Sequence, residues 1–287
     1  MLKVTDVTKT YGDVKALDSL SLNVSEGSVF GLLGVNGAGK TTLLSILNGL
    51  TSIDSGEIVV FGLDIVKDTK EINSISSIIP QHLAFYENLS VKENINFFAS
   101  LQNASIDSIA NAIEINSLEN LYTQKASTLS GGQKRRLNIA IGLLNAPKII
   151  YFDEPTVGID PKSRNEILDS IVSYKKLGIT VVYTSHYMNE IERICDEVAI
   201  IDKGTLVKQA KLDDLLSNRS SDKVLVETIF HESLSSLGVK LLDITTIESS
   251  QKELAGLLGL LEKNKIFIKQ IRYGSSNLEK YFLEVTA

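Results

Sequence analysis

Apolar and polar positions alternate through the first sixty residues, in LKVTDVTKTY, SLNVSEGSVF and SGEIVVFG, with turn residues between them. A period of two predicts antiparallel strands. Inside this region SVFGLLG is a short apolar run of the kind that forms a strand buried on both faces. Beyond a glycine-rich loop, Leu43, Leu44, Ile46, Leu47 and Leu50 recur at helical spacing. From about Glu87 to Leu144 the pattern is helical and more polar, as in VKENINFFASL and IDSIANAIEINSL. Two more buried-strand runs follow, KIIYFDEP and ITVVYTSH, each leading into a helical stretch, and DEVAIIDKGTLVKQA closes the region as a strand and hairpin. Strands alternating with helices predict an α/β domain with a mainly parallel sheet covered on both faces. Its chemistry belongs at the carboxyl ends of the strands.

This pattern divides the chain into a domain over 1–215 and a smaller one over 216–287, with SNRSSDK as the linker. The smaller part reads strand (KVLVETIF), strand (KLLDITTIE), helix (QKELAGLLGLLEKNK), strand (IFIKQIRY), helix (NLEKYFLEV), a small α/β unit without a nucleotide or metal motif. From Lys211 onward it holds ten basic and eleven acidic residues, so no basic stripe invites nucleic acid. The 287 residues carry a net charge of -6, which gives the whole chain no such field either. The single cysteine, Cys195, excludes an internal disulfide, fits a reducing cytosol, and reads as a small buried hydrophobe. The start of the chain, MLKVTDVTKT, lacks the apolar region of a signal peptide. The longest apolar runs, such as LAGLLGLL, fall far short of the ~18 residues of a membrane span.

GVNGAGKT, Gly34 to Thr41, fits the phosphate-loop template, with Gly34 and Gly39 followed by Lys40 and Thr41. Glycines let the backbone wrap phosphates with its N–H groups, and a helix N-terminus behind the loop adds partial positive charge. Lys40 would reach the terminal phosphates and the Thr41 hydroxyl would hold Mg²⁺. These residues predict binding of a nucleoside triphosphate. In KIIYFDEP, Asp153 ends an apolar strand where it can meet Mg²⁺ directly or through water. Glu154 follows, either to orient and deprotonate an attacking water or as a solvated residue at a strand end. A second anion cradle stands in TLSGGQKRR: Ser130, Gly131 and Gly132 precede a helical stretch. Taken alone, Ser130 reads as its N-cap.

The order of these motifs resembles the ATP-binding-cassette (ABC) ATPases over about the first 215 residues. GVNGAGKT looks like their Walker A loop, LSGGQ like their signature, and IIYFDEP like their Walker B strand with its glutamate. Gln81 in SIIPQHL, the stretch TVGIDP, and His186 in VVYTSH stand in the family's order. The resemblance implies a P-loop fold with a mainly parallel core sheet, an antiparallel β subdomain and a helical subdomain near 87–144. It implies ATP and Mg²⁺ as ligands, ATP held by Gly34, Val35, Asn36, Gly37, Ala38, Gly39, Lys40, Thr41 and Thr42, and Mg²⁺ by Thr41, Gln81 and Asp153. Glu154, His186 and Gln81 would act in hydrolysis. In this family two domains pair head to tail, so Ser130, Gly131, Gly132 and Gln133 would meet the ATP held by the other copy. Tyr11 matches the aromatic that stacks on adenine, although a strand aromatic packing locally is the other reading. Asp160 matches a dimer-interface aspartate and, ahead of Pro161, is also a good N-cap. His82 and His231 lack any such context and read as surface residues.

The resemblance also implies partners. TVGIDPKSR and the closing LEKYFLEV look like ATPase subunits of ABC-2-type exporters, including drug-resistance, antibiotic-immunity and sodium-extrusion systems. Such a subunit works with separate transmembrane permease subunits, as a dimer that is expected to be a homodimer, on the cytoplasmic face of the membrane. The segment YENLSVKENI resembles the region that in relatives meets a cytoplasmic helix of the permease. Importer ATPases and ABC ATPases of translation or DNA repair are the alternatives. The second type usually joins two cassettes, and the third inserts long coiled coils or zinc modules, neither of which is found here.

Overall fold

The computed structural model describes residues 1–217, 223–229, 234, 237–242, 244–250, 252–273 and 277–285. The SNRSSDK stretch lies largely outside the described residues, and His231 wholly so. The chain forms two compact units, Met1–Leu212 and Asp213–Ala287.

The first unit opens with β1 (Leu2–Tyr11), β2 (Val14–Val24), β3 (Val29–Leu33), α1 (Lys40–Leu47), β4 (Ser55–Val60) and β5 (Leu63–Asp64). It continues with α2 (Thr69–Ile75), β6 (Ser76–Ile79), α3 (Val91–Gln102), α4 (Ile106–Ile115) and α5 (Gly131–Leu143). β7 (Ile149–Asp153), α6 (Pro161–Lys176), β8 (Thr180–Thr184), α7 (Met188–Ile194), β9 (Glu197–Asp202) and β10 (Thr205–Lys211) complete it. β1, β2, β4 and β5 make an antiparallel sheet in the order β2-β1-β4-β5. The second sheet runs β10-β9-β3-β8-β7-β6, parallel from β9 to β6 with β10 antiparallel at one edge. Every residue of β3 and β8 is buried, which explains the unbroken apolar run of β3 and the Val-Val-Tyr at the centre of β8. β3, β8 and β7 lie side by side, so the loops after Leu33, Asp153 and Thr184 emerge together at one edge.

The hydrophobic pattern predicts no element between β5 and β6, where α2 stands, nor β6 itself. Four strand residues beginning Ser-Ser are too few for a period to show. The Glu87–Leu144 region holds α3, α4 and α5, with a full capping box at the start of α3 made by Ser90 and Glu93. α5 packs on α3, α4, α6 and β6. Its close seat on the sheet needs Gly142: a Cβ there would stand 2.2 Å from Ile79 Cδ1.

α8 (Leu212–Ser217) leads into the second unit, which holds β11 (Lys223–Thr228), β12 (Lys240–Leu241), β13 (Thr246–Ser250), α9 (Leu254–Lys263), β14 (Ile268–Tyr273) and α10 (Asn277–Val285). Its antiparallel sheet has the order β12-β13-β11-β14, that of a split β-α-β arrangement. Val224, Val226, Ile247, Leu257, Leu261 and Ile266 form its core. The single strand predicted over KLLDITTIE is instead a hairpin of β12 and β13, with Leu242 N donating to Thr246 O at 2.9 Å. Only two residues at the start of the run pair as β12, and the longer strand, β13, takes the end of the run and continues past it to Ser250.

Candidate functional site

The glycine loop between β3 and α1 is shaped by close backbone approach. Gly37 and Gly39 have φ of 83° and 106°, and a Cβ on Gly39 would lie 2.6 Å from Ala16 O. A Cβ on Gly34 would stand 2.7 Å from Ile201 O. Gly39 caps α1 without a side chain, so no side-chain cap takes the first N–H groups of the helix, the condition under which a helix N-terminus can take an anion. Lys40 folds back under the loop, where Nζ donates to Gly34 O at 2.8 Å and Val35 O at 3.3 Å. Burial lowers its pKa, and the carboxylates of Glu154 and Asp153 oppose that shift. Glu154 Oε1 stands 3.9 Å from Nζ.

The facing wall comes from β7 and β8. Their register puts Asp153 beside Thr184. The Thr184 hydroxyl donates to Asp153 Oδ1 at 3.1 Å and accepts from Glu154 N at 2.9 Å. Thr41 Oγ1 lies 3.3 Å from Asp153 Oδ2. Glu154 adopts φ 45°, a left-handed backbone for a residue with a side chain, and strain of this kind costs ~1–3 kcal/mol and gathers at functional sites. His186 Nδ1 meets Glu154 Oε2 at 3.2 Å. Asn36, Gly37, Ala38, Gly39, Lys40, Thr41, Thr42, Gln81, Asp153 and Glu154 all line one cleft of about 710 Å³.

Other expected residues stand elsewhere. Gly34 and Val35 do not line the cleft; their carbonyls hold Lys40. Tyr11 is 49% exposed, outside the lining, with Lys9 Nζ 5.4 Å from its ring centroid. Val14, Lys15 and Ala16 of β2 form that wall instead, with Lys203. Nothing in the periodicity singles these out, because they become neighbours of the loop only when the β9–β10 turn docks on it. There Gly204 N donates to Ala38 O at 3.0 Å, and Asp18 N to Gly204 O at 2.9 Å.

The second cradle lies apart from the cleft. Ser130 caps α5: its hydroxyl accepts from Gln133 N at 3.3 Å, while Ser130 N donates to Gln133 Oε1 at 2.9 Å. Gly131 is exposed. Gly132 is buried against α6, where a Cβ would stand 2.2 Å from Ser163 Oγ. Asp160 caps α6, its Oδ1 accepting from Lys162 N and Ser163 N at 3.1 and 3.0 Å, and these bonds hold its carboxyl below the usual range. His82 is exposed.

α5 also grips the Gln81 segment, a link that no motif signals. Arg135, 4% exposed, donates to Pro80 O at 2.8 Å and Gln81 O at 2.6 Å. One turn on, Asn138 Oδ1 accepts from Ala84 N at 2.8 Å, and Lys134 pairs with Glu87 at 2.6 Å. The signature helix and the Gln81 segment are therefore tied into one piece.

Comparison with known proteins adds an independent finding. The family model described as ABC transporter matches residues 17–157. The linearmycin resistance ATP-binding protein LnrL of Bacillus subtilis is 35% identical over 100% of this chain and 98% of its own. The bacitracin transport ATP-binding protein BcrA of Bacillus licheniformis is 34% identical over 99% of this chain and 97% of its own. An ATP-binding cassette solved as a dimer in a post-hydrolysis state with ADP and Pi superposes with a TM-score of 0.66 at 27% identity, covering 74% of this chain and 99% of that one.

Proposed function

Because the chain belongs to the ABC transporter family, in which ATP is bound and hydrolysed, we propose which of its residues do this work and what they drive. The N–H groups of the glycine loop and of the first turn of α1 hold the phosphates, with Lys40 at the terminal end. Glu154 takes a proton from a water as that water attacks the terminal phosphorus. The bond to the bridging oxygen breaks, and ADP and phosphate leave. His186 holds the Glu154 carboxylate through the 3.2 Å contact and meets the terminal phosphate with its other edge. Thr41 and Asp153 are oxygen donors 3.3 Å apart, a pair that fits Mg²⁺. Among the described residues no cluster of three acidic, histidine or cysteine ligands surrounds them, so phosphate oxygens and waters would complete the shell. The cation supplies neutralisation of phosphate charge.

Ser130, Gly131, Gly132 and Gln133 lie outside the cleft, which supports a head-to-tail homodimer in which they meet the ATP of the partner copy. Asp160 belongs to the same interface. Leu83, Tyr86, Phe97 and Leu101 are exposed around the Gln81 segment and α3, and they form the apolar surface offered to transmembrane permease subunits. The rings of Tyr86 and Phe97 lie 5.2 Å apart. Among the described residues no helix is long and apolar enough to cross a membrane, which fits a subunit bound at the cytoplasmic face. No nucleic acid is involved in this reading.

The observation that carries the exporter reading is the alignment of resistance and antibiotic-transport proteins along the whole chain, second unit included. Purifying tagged Glu154→Gln protein with ATP from gently solubilised native membranes tests it. A polytopic membrane protein at near-equal stoichiometry is the expected companion. Recovery only from the soluble fraction, with ribosomal or DNA-repair partners, would overturn the transport reading.

A further inference from the structure

Glu190, on α7, is a buried carboxylate that the hydrolytic scheme above leaves unused, with 1% of its surface exposed. Its neighbours are donors. Thr156 Oγ1 approaches its two oxygens at 2.8 and 3.0 Å, and Tyr183 OH and Ser185 Oγ each donate to Oε2 at 2.8 Å. Arg164 Nε lies 3.5 Å from Oε1. An ionised carboxylate is an acceptor-only group, and each neighbour named here carries a proton it can donate. Burial and the Glu190 charge push the Tyr183 phenol well up, so it stays a donor.

The origin of these donors gives the cluster its meaning. Thr156 lies two residues past Glu154, in the turn that leaves β7. Ser185 immediately precedes His186, and its hydroxyl also accepts from Tyr187 N at 3.0 Å, which closes the turn carrying the histidine. Arg164 comes from α6, one turn beyond Asp160, and lies 4.8 Å over the Tyr187 ring. That ring is in turn 4.1 Å from the His186 imidazole. One buried charge therefore holds the turn after Glu154, the turn bearing His186 and the start of α6 in a single arrangement. The Glu154–His186 contact at 3.2 Å is what that arrangement produces.

We propose that Glu190 is a positioning residue for hydrolysis, acting through His186 by tying its turn to the one that follows Glu154. The proposal rests on the reading of Glu154 and His186 as the hydrolytic pair. Glu190→Gln keeps the volume but turns one acceptor into a donor that faces hydroxyl donors.

The test uses the purified full chain, with a fluorescent ATP analogue for binding, phosphate release for turnover and a circular-dichroism melt for folding. Glu190→Gln is expected to bind the analogue within about twofold of the parent and to lose on the order of tenfold or more in turnover. In a double-mutant cycle with His186→Ala, residues that act as one unit give non-additive losses, so Glu190→Gln added to His186→Ala should cost under about twofold more. Should Glu190→Gln fail to fold, Thr156→Val takes its place in the cycle, with Thr156→Ser expected to restore turnover. Parental turnover in the variant, or losses that multiply independently in the cycle, would overturn the proposal. Parental turnover in His186→Ala alone would instead remove the pair on which it rests.

Discussion

Lys40 and Glu154 face each other across the cleft as a buried cation and a mostly buried carboxylate, 6% and 14% exposed at the side chain. A lysine taken out of water loses hydration, and the two nearby carboxylates together with the carbonyls of Gly34 and Val35 offset part of that loss. Triphosphate would replace those carbonyls as the lysine's partner, which is a reason for Nζ to be held beneath the loop. Glu154 stands in a strained backbone fixed by Thr184, so its carboxylate is aimed before any ligand arrives. In the proposed scheme, replacing Glu154 by Gln removes the proton acceptor and leaves the phosphate contacts. Turnover is expected to fall roughly 10²–10⁴-fold while ATP affinity holds, as measured by phosphate release and equilibrium binding. A variant that hydrolyses at the parental rate would take Glu154 out of the role of base.

At the scale of elements, α5 decides most. Its first turn is the signature cradle, its second grips the Gln81 segment through Arg135 and Asn138, and its far end seats on β6 at Gly142. The two glycines of the signature then differ in what they do for this fold. A Cβ added at Gly131 would meet nothing nearer than 3.8 Å, whereas one at Gly132 would stand 2.2 Å from Ser163 Oγ. Gly132→Ala is expected to destabilise the fold by about 1–3 kcal/mol in urea unfolding through overpacking of α5 on α6. Gly131→Ala should cost under about 1 kcal/mol, the helix already favouring alanine over glycine. Equal losses at both positions would mean that α6 yields and that the contact is not a close one.

The whole molecule poses a question that one copy does not answer: two loops with the form of an anion cradle stand in the first unit, and only one of them lines the cleft. The head-to-tail pair proposed above would resolve it, since each copy would then complete the other's site. Ser130→Arg is expected to abolish hydrolysis with the ATP affinity of the monomer unchanged, because in the proposed pair the residue meets the other copy's nucleotide. An equal loss of monomer binding, read by titration at low protein concentration, would count against that pairing. A cassette of the family has been solved as a dimer in a post-hydrolysis state with ADP and Pi. The second unit has its own core and its own antiparallel sheet.

Much of this is legible in the residues. The span of β1 is the alternating run LKVTDVTKTY, and NLEKYFLEV is α10 to the residue. Local signals of this kind depend on near neighbours: a period of two for a half-buried strand, a Ser or Asp before a helix, glycines where the backbone must turn against an atom of its own loop. The motif residues are identifiable for the same reason, since Lys40 and Thr41 open α1 directly behind the glycine loop, and Asp153 ends β7 with Glu154 beside it. What the tertiary structure alone decided is everything carried by pairs distant along the chain. The docking of Gly204 on Ala38 brings Lys203 to the cleft, the close approach of Gly39 to Ala16 brings β2 to it, and Tyr11 is not among its lining. The grip of Arg135 on Gln81 and the burial of Glu190 among three hydroxyl donors and the Arg164 cation are likewise invisible locally, because an arginine on a helix or a glutamate after a histidine has a solvated reading until the chain folds. Hydrophobic patterning specifies which face of an element is buried, and only packing specifies which polar group meets which.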